Sequence, residues 1–305
     1  MSGLLVERST PLILLQDSGR FGIRQLGVTQ GGSTDWISMF WANWLLGNPL
    51  EAAVIEITLG GLSLIAQQDA CLALAGADLG ASLDGQPLQP WRSFLVRRGQ
   101  RLVFSQPVQG ARAYLAAPGG FDATPVMGSK ATVCREGLGG LDGSGRALTA
   151  GDRLGWSAPP PAPRELEATQ IPDLSSAKPL ETVLGAQIAD FAGQSLFDAF
   201  NSPWQVDSRA DRMGVRLLGP ALHYQGTALI SEGIPLGAIQ VPPDGQPIIL
   251  LNDRQTIGGY PRLGALTPRS LARLAQCLPG AELRLSPVVQ EVAHGQHLRM
   301  LAQWH

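Results

Sequence analysis

Charged residues are scarce in this chain, at 16% of its 305 residues, and neither sign dominates. The 23 basic and 25 acidic residues leave a net charge of -2, so we expect no nucleic-acid or membrane partner. No apolar run approaches the roughly 20 residues that a membrane span needs. The amino terminus also lacks the basic region, apolar core and cleavage site of a signal peptide, which predicts a cytoplasmic protein.

Cysteine and histidine are also few, which argues against disulfide and metal chemistry. The three cysteines, Cys71, Cys134 and Cys277, show no C-x-x-C spacing and are predicted to be buried thiols. The four histidines have no ligand spacing, so we expect no bound metal. The sequence also lacks a P-loop, a Rossmann glycine motif and a nucleophile elbow, so generic motifs assign no enzyme class.

Hydrophobic residues, by contrast, make up 44% of the chain and are interrupted by 37 glycines and 23 prolines. Short apolar runs between turn residues are typical of a mainly β protein with few helices. Six prolines among small and polar residues predict a linker at 157–179, between two β-rich domains at 1–156 and 180–305. We predict strands at residues 12–15, 53–58, 70–75, 101–104, 112–117, 228–231, 238–241, 248–251 and 282–285.

Two helices are predicted from their capping signals. The first begins near Asp35 and ends at a G-N-P stop signal; its aromatic rows make it apolar on nearly all sides, so we expect both rows to be buried. Asn43 should then be buried and hydrogen-bonded. The second begins at Thr267 with Pro268 in its first turn, and should end at Gly280.

Glycine-bracketed polar strings carry the candidate chemistry of the first half. Q-D-S-G-R-F-G contains Arg20, which could hold an anion; the alternative is a capped turn in which Asp17 pairs with Arg20. E-I-T-L-G-G places Glu56, a candidate acid/base residue, in an apolar strand, where it either faces solvent or is partly buried with a raised pKa. The loop at 128–140 places Lys130 where it could receive a carboxylate or phosphate.

The densest polar strings lie between residues 208 and 261. Their amide and charged side chains bracket one short apolar strand, so the two ends of that strand could bind a small polar amide. The candidate substrate-binding residues here are Arg212, Gln240, Gln246, Arg254 and Gln255. Glu232 and Asp253 are candidate catalytic acid/base groups. The alternative for Arg254 is an ion pair with Asp253 or Glu232 that stiffens the turn.

Together these strings resemble one known family, which includes the C subunit of bacterial ATP-dependent 5-oxoprolinase and the second allophanate-hydrolase subunit type, also described as biotin-dependent carboxyltransferase-like. The resemblance runs from about residue 16 to about residue 287. It is carried by Q-D-x-G-R-x-G, G-V-x-x-G-G-x-x-D, E-I-T-L-G-G, S-E-G, G-A-I-Q-V-P-P-D-G-Q-P and D-R-Q-T-x-G-G-Y-P.

The resemblance implies a cyclophilin-like β-barrel protein that works with two other proteins, a B subunit of related fold and a separate A subunit. The implied reaction converts 5-oxo-L-proline, ATP and water to L-glutamate, ADP and phosphate. Because the chain has no nucleotide loop, ATP should bind at a site shared with the B subunit, and the chain alone should be inactive. One alternative is a carboxyltransferase of the urea and allophanate pathway, which moves CO2 to urea from carboxybiotin held on a carrier in trans. Another is a non-catalytic regulator that antagonises a kinase inhibitor.

Overall fold

The computed structural model describes residues 3–159, 161–175 and 177–304, and it forms two compact units. The first unit contains Met1–Gly22 and Gly31–Asp173, and the second contains Ile23–Gln30 and Leu174–His305. The change of unit at residue 173 falls within the segment 157–179 that the sequence assigns to a linker. Pro160 in that segment lies outside the described residues, as does position 176.

Part of this Pro-rich segment is bonded to the first unit. The Ser93 amide donates to the Arg164 carbonyl at 2.6 Å, and Glu165 forms an isolated β-bridge with Arg92. The short segment Ile23–Gln30, by contrast, packs with the second unit although it lies early in the chain.

The first unit contains two antiparallel sheets around one apolar core. One sheet has the order β11-β1-β4-β9-β6-β7 and the other β2-β3-β10-β5-β8, numbered along the chain as given below. Ile55, Leu72 and Phe104 are completely buried between these strands, so burial of apolar surface drives this unit to fold. The strands are β1 Leu4–Arg8, β2 Ile13–Gln16, β3 Val54–Thr58, β4 Leu62–Ala66, β5 Ala70–Asp78, β6 Ala81–Leu83, β7 Gln86–Pro87, β8 Arg92–Val96, β9 Arg101–Phe104, β10 Gln109–Ala116 and β11 Arg153–Leu154.

Helix α1, Trp36–Trp44, begins where the capping signal predicts. The Asp35 side chain accepts a hydrogen bond from the Ser38 amide at 3.1 Å. Asn43 is completely buried, and its Nδ2 donates to the carbonyls of Leu50 and Ala52 at 2.9 and 2.8 Å. The prediction of a buried, hydrogen-bonded asparagine is therefore confirmed.

The two aromatic rows of α1 are buried to different extents. Trp41 is only 2% exposed, whereas Trp36, Phe40 and Trp44 are half-buried. The helix packs on β5 and β10 through one face, so the aromatic row on the opposite face is covered less completely. The Arg164 guanidinium lies 5.8 Å from the Trp44 ring centroid. The expectation that both rows are buried is wrong for the row that contains Trp44.

The second unit is built on one eight-stranded sheet of order β20-β13-β14-β17-β16-β19-β12-β21, with β15 and β18 pairing separately. Its helices are α2 Gly193–Asn201, α3 Pro268–Leu274 and α4 Gln290–Leu301. Its strands are β12 Leu180–Leu184, β13 Trp204–Val206, β14 Gly214–Leu218, β15 Glu232–Gly233, β16 Ala238–Gln240, β17 Ile248–Leu250, β18 Ile257–Gly258, β19 Arg262–Leu266, β20 Glu282–Leu283 and β21 Leu285–Val288.

Helix α3 confirms the predicted start but not the predicted end. Thr267 caps it by accepting from the Ser270 amide at 3.3 Å. The helix ends at Leu274 instead of Gly280, because the following turn changes to the tighter i to i-3 pattern, in which the Cys277 amide donates to the Leu274 carbonyl at 3.0 Å.

Three other sequence predictions differ from the structure. Residues 228–231 form no strand: Ile230 is 90% exposed and has no strand beside it to cover it. Helices α2 and α4 were not predicted, since α4 buries only Ala293 and so shows little apolar periodicity. Of the cysteines, Cys71 is buried and Cys277 is half-buried, but Cys134 is exposed because it opens a short 3-10 turn in a loop.

The architecture confirms the predicted mainly β class with few helices, and it includes a nearly closed β-barrel sheet, as a cyclophilin-like fold requires. Within the described ranges, no helix combines the length and apolar character needed to cross a membrane.

Candidate functional site

The second unit carries a cleft of about 250 Å³ whose floor is formed by three neighbouring strands. On these strands Arg216 of β14 lies opposite Ile248 of β17, which in turn lies opposite Gln240 of β16. Side chains opposite each other in an antiparallel sheet point to the same face, so this row forms a continuous surface. The residues lining the cleft are Arg209, Asp211, Met213, Gly214, Arg216, Gln240, Ile248, Leu250, Gln255 and Tyr260.

Gln240 is the most distinctive polar group of this cleft. It is only 2% exposed, and its Nε2 has no hydrogen-bond partner among the described residues. A Cβ at Gly258 would lie 3.0 Å from this nitrogen and 2.5 Å from Ile234 Cδ1, so a glycine is needed here for the amide to fit. A buried amide without a partner is unfavourable by about 1–3 kcal/mol, and a ligand carbonyl would satisfy it.

Gln255 is the second predicted residue that lines the cleft, where it is half-buried. The floor beside Gln240 includes the apolar side chains of Ile248 and Leu250, and Arg216 lies opposite Ile248 in the same row. The cleft is slightly smaller than the roughly 300–1,000 Å³ typical of sites for drug-sized ligands. A partly apolar floor with amide groups at its edge suits a small molecule that has both an apolar and an amide face.

Arg212 and Asp253 form an ion pair beside the cleft. Arg212 Nε and Nη2 donate to the two carboxylate oxygens of Asp253, each at 3.0 Å, and the Asp253 amide donates to the Arg212 carbonyl at 2.9 Å. The two side chains are 15% and 10% exposed. Because Arg212 adjoins two lining residues, this pair fixes the backbone at the rim of the cleft.

Arg254 is 2% exposed and does not pair with either predicted acidic partner. Its Nε donates to the Ile234 carbonyl and its Nη1 to the Leu251 carbonyl, both at 3.2 Å. Asp253 is engaged with Arg212, and Glu232 forms its ion pair with Arg262. The alternative in which Arg254 pairs with Asp253 or Glu232 is therefore wrong, because those carboxylates bind arginines from other strands or loops.

The other two predicted residues of this unit serve local contacts. Glu232 is exposed and also accepts from Gln187 Nε2 at 2.9 Å. Gln246 is bonded twice to Gly219: its Oε1 accepts from the amide at 2.9 Å and its Nε2 donates to the carbonyl at 3.1 Å. Both side chains thereby hold loops of the unit.

The remaining predicted residues, Glu56, Arg20 and Lys130, belong to the first unit. Glu56 is completely buried in β3, so the solvent-facing interpretation is wrong. Its Oε2 accepts from the Thr34 amide and from the Tyr114 hydroxyl, each at 2.8 Å. Burial and the neighbouring Glu56 charge hold the pKa of Tyr114 well above 10, so the phenol stays a donor.

Arg20 and Lys130 brace two loops of the first unit. Arg20 directs its guanidinium to backbone carbonyls, including that of Ala131 at 2.7 Å. Asp17 caps its own turn by accepting from the Gly19 amide at 2.8 Å, and it also accepts from the Lys130 amide at 2.6 Å. Lys130 Nζ donates to the Phe121 carbonyl at 2.9 Å.

A second cleft, of about 320 Å³, lies on the first unit and contains none of the predicted residues. Its charges already bind each other: Arg101 donates to Glu7 at 2.7 Å, and Ser63 Oγ donates to Glu7 at 2.6 Å. These bonds lower the pKa of Glu7, with the Ser63 bond the largest cause. Elsewhere in the described ranges, no group of three or more histidine, cysteine, aspartate or glutamate side chains is arranged to hold a metal ion.

Sequence reasoning missed several residues that line or adjoin the cleft. Alternation along β14 places Arg216 on the face of Gly214, which is a signal that the S-R-A-D-R-M-G string could have supplied. Tyr260 stands in the D-R-Q-T-x-G-G-Y-P string and lines the cleft, but it is not among the predicted site residues. Arg24, which packs with this unit and donates to the Ile234 carbonyl at 2.6 Å, has no local signal because its partner is 210 residues away.

Comparison with known proteins identifies relatives that match this chain over most of its length. The chain is 38% identical over 275 residues to the C subunit of 5-oxoprolinase from Escherichia coli, a match that covers 90% of this chain and 87% of that one. It is 35% identical to the C subunit of 5-oxoprolinase from Haemophilus influenzae, over 92% of this chain and 89% of that one.

Solved structures show the same fold within longer proteins. The crystal structure of K. lactis urea amidolyase matches with a TM-score of 0.93 and 26% identity, over 99% of this chain and 20% of that one. The crystal structure of TTHA0988 matches with a TM-score of 0.84 and 37% identity, over 94% of this chain. The chain spans 56% of the length of TTHA0988.

The family model described as "Carboxyltransferase domain, subdomain A and B" matches residues 26–287, which include every residue of the cleft in the second unit. The sequence resemblance is thus confirmed, and the chain belongs to this carboxyltransferase domain family.

Proposed function

We propose that this chain is the C subunit of an ATP-dependent 5-oxoprolinase, which opens 5-oxo-L-proline to L-glutamate at a site completed by the B and A subunits. The observation that carries the proposal is Gln240, which lines a small cleft with a partly apolar floor and whose buried Nε2 has no hydrogen-bond partner among the described residues. A five-membered lactam ring has the matching pair of properties, an apolar ring edge and a carbonyl oxygen. The 38% identity to a protein named as the C subunit of 5-oxoprolinase supports the same assignment.

The reaction needs ATP because a lactam is an unreactive amide. Transfer of the terminal phosphoryl group to the lactam oxygen releases ADP and makes the ring carbon electrophilic. Water then adds to that carbon, and the ring C–N bond opens with a proton passing to nitrogen, which leaves an acyl phosphate. A second water hydrolyses this acyl phosphate, giving the carboxylate of glutamate and free phosphate. We place ATP at a site shared with the B subunit, in keeping with the absence of a P-loop motif from the sequence.

In this proposal the residues of the cleft bind and orient the lactam. Gln240 Nε2 donates to the lactam oxygen, and Gln255 lies at the edge where the ring N–H can be accepted. Asp253 is the best placed of the three predicted acid/base residues, since it adjoins the cleft through Arg212. Glu232 is exposed, and Glu56 is enclosed in the first unit, so both fit a structural role better.

Carboxyl transfer from carboxybiotin to an amide is the second candidate function. It is favoured by the TM-score of 0.93 to urea amidolyase over 99% of this chain. Biotin would then have to arrive on a separate carrier, because the chain has no biotinyl-lysine motif.

The two candidates are separated by their substrates. The purified chain with the A and B subunits is given either 5-oxo-L-proline and ATP, or urea and a carboxylated biotin carrier. We expect glutamate and ADP in equal amounts from the first mixture and no carboxylated urea from the second. Carboxyl transfer without glutamate formation would replace the proposal by the second candidate, and the absence of both activities would favour a regulator.

The role of Gln240 is tested in the same assay by Gln240→Met, which removes the amide but keeps most of the volume. Loss of one such donor should lower kcat/KM roughly ten- to thousandfold. Gln205→Met is the matched control, since Gln205 lies exposed on β13 of the same sheet. Equal activity of the two variants would contradict the assignment of Gln240.

A further inference from the structure

Two arginines of the second unit meet at one backbone carbonyl. Arg24 Nη2 donates to the Ile234 carbonyl at 2.6 Å and to the Thr256 carbonyl at 3.1 Å. Arg254 Nε donates to the same Ile234 carbonyl at 3.2 Å. Arg254 is almost wholly buried and Arg24 is half-buried, so two cationic groups meet at one carbonyl and at least one of them is shielded from water.

In the part of the chain that the structure describes, the side-chain bonds of these two arginines go to backbone carbonyls and not to carboxylates. Four other arginines of the same unit each form an ion pair with an aspartate or a glutamate; they are Arg209, Arg212, Arg216 and Arg262. Within the described ranges, no acidic side chain forms an ion pair with Arg24 or Arg254. Two adjacent cations, one of them buried, repel each other when no anion lies between them, and such perturbed charges cluster at functional sites.

The arginine pair is next to the amide of the cleft. Ile234, whose carbonyl holds both guanidiniums, places its Cδ1 against Gly258, and Gln240 Nε2 lies against the same glycine. Ile234 therefore lies between two kinds of donor. On one side is the Gln240 amide, which suits a neutral carbonyl, and on the other are the two guanidiniums, which suit an oxyanion.

We propose that Arg24 and Arg254 bind an oxyanion of the ligand that Gln240 recognises, either the carboxylate of the substrate or a transferred phosphoryl group. The proposal rests on the proposed function, because 5-oxo-L-proline carries a lactam and a carboxylate on one ring. Such a site selects for amides that carry an anion and against neutral amides such as urea.

The electrostatics of the pair support this role. Burial, together with the charge of Arg24, lowers the pKa of Arg254 to about 9. Burial also lowers the pKa of Arg24. A bound oxyanion would reverse both effects by pairing with the charged forms.

Calorimetric titration of the full chain tests the site with three probes at constant ionic strength: 5-oxo-L-proline, 2-pyrrolidinone, which is the same ring without the carboxylate, and inorganic phosphate. We expect 5-oxo-L-proline to bind roughly ten- to hundredfold more tightly than 2-pyrrolidinone if the site takes a carboxylate. Tight binding of phosphate, with the two lactams equal, would instead identify a phosphoryl site.

Arg24→Gln should remove this preference and leave the affinity for 2-pyrrolidinone unchanged. Arg284→Gln is the control, since Arg284 lies exposed in the same unit and donates to the Asn201 carbonyl. Equal affinity of the wild-type and Arg24→Gln chains for both anions, or no binding of either anion, would overturn the proposal. Arg254→Gln repeats the test if Arg24→Gln does not fold.

These titrations do not depend on turnover, so the two proposals can fail separately. Arginine-dependent anion binding without glutamate formation by the complex would reject the 5-oxoprolinase assignment and keep the site. Glutamate formation by a complex containing Arg24→Gln, at the wild-type kcat and the wild-type KM for 5-oxo-L-proline, would reject the site and keep the function.

Discussion

Arg254→Met should separate stability from function, because the arginine is buried at an energetic disadvantage. Burial lowers its pKa from the ordinary arginine value to about 9, which corresponds to about 5 kcal/mol against the charged form in the folded chain. The substitution removes that penalty and loses two side-chain hydrogen bonds to carbonyls, worth roughly 1.5–3 kcal/mol each.

Neither carbonyl is left without a donor in this variant. The Ile234 carbonyl keeps its bond from Arg24, and the Leu251 carbonyl keeps the bond from the backbone amide of residue 254 at 3.2 Å. Methionine also fills most of the vacated volume. The opposing terms nearly cancel, so we expect the free energy of unfolding to change by less than about 2 kcal/mol.

Arg212→Met is the matched comparison, because it removes the arginine that holds the buried Asp253 with two bonds. Breaking such a pair should lower the free energy of unfolding by about 3–5 kcal/mol. Urea unfolding followed by tryptophan fluorescence measures both variants, and turnover of the reconstituted complex measures function. We expect Arg254→Met to lose roughly ten- to thousandfold in kcat/KM at nearly unchanged stability. A chain destabilised as much as Arg212→Met, with normal turnover of the folded fraction, would refute this reasoning.

Three further predictions concern stability and reactivity. Trp41→Ala should lower the free energy of unfolding by about 3–5 kcal/mol, because Trp41 is 2% exposed. Trp44→Ala should lower it by clearly less, because Trp44 is half-buried. Equal losses for the two variants in urea unfolding would contradict this. Burial lowers the pKa of His297 below its ordinary 6.5, so stability should fall as the pH decreases below 6.5, and His297→Gln should reduce this loss in pH-dependent unfolding. Iodoacetamide should label exposed Cys134 before buried Cys71, because burial raises the pKa of the Cys71 thiol. Peptide mass mapping measures the order of labelling, and labelling of Cys71 first would contradict this prediction.

Local signals were sufficient for the elements whose cause is local. The start of α1 depends on Asp35 and that of α3 on Thr267 with Pro268, and each cap bond forms within three residues. Most strands follow directly from short apolar runs between turn residues. Residues 228–231 do not follow this rule, because an apolar run becomes a strand only where another strand lies beside it. Ile230 in this run stays exposed.

The candidate site depends on partners that lie far apart in the sequence. Asp253 is adjacent to Arg254 in the chain, yet it binds Arg212, which is 41 residues away. Arg24 reaches the Ile234 carbonyl across 210 residues because its short segment packs with the second unit. No pattern of residue types along the sequence reports such pairs, whereas Gln240 and Gln255 were found because they bracket a strand.

The most direct test of the 5-oxoprolinase assignment is the release of glutamate from 5-oxo-L-proline and ATP in mixtures that differ by one component. Four mixtures are compared: the chain alone, the A and B subunits without it, all three together, and all three with Gln240→Met in place of the wild-type chain. We expect rapid glutamate release only from the complete wild-type mixture, with one ADP formed for each glutamate. Equal release from the chain alone, from the A and B subunits without it, or from the Gln240→Met mixture would contradict the assignment of this cleft to the lactam.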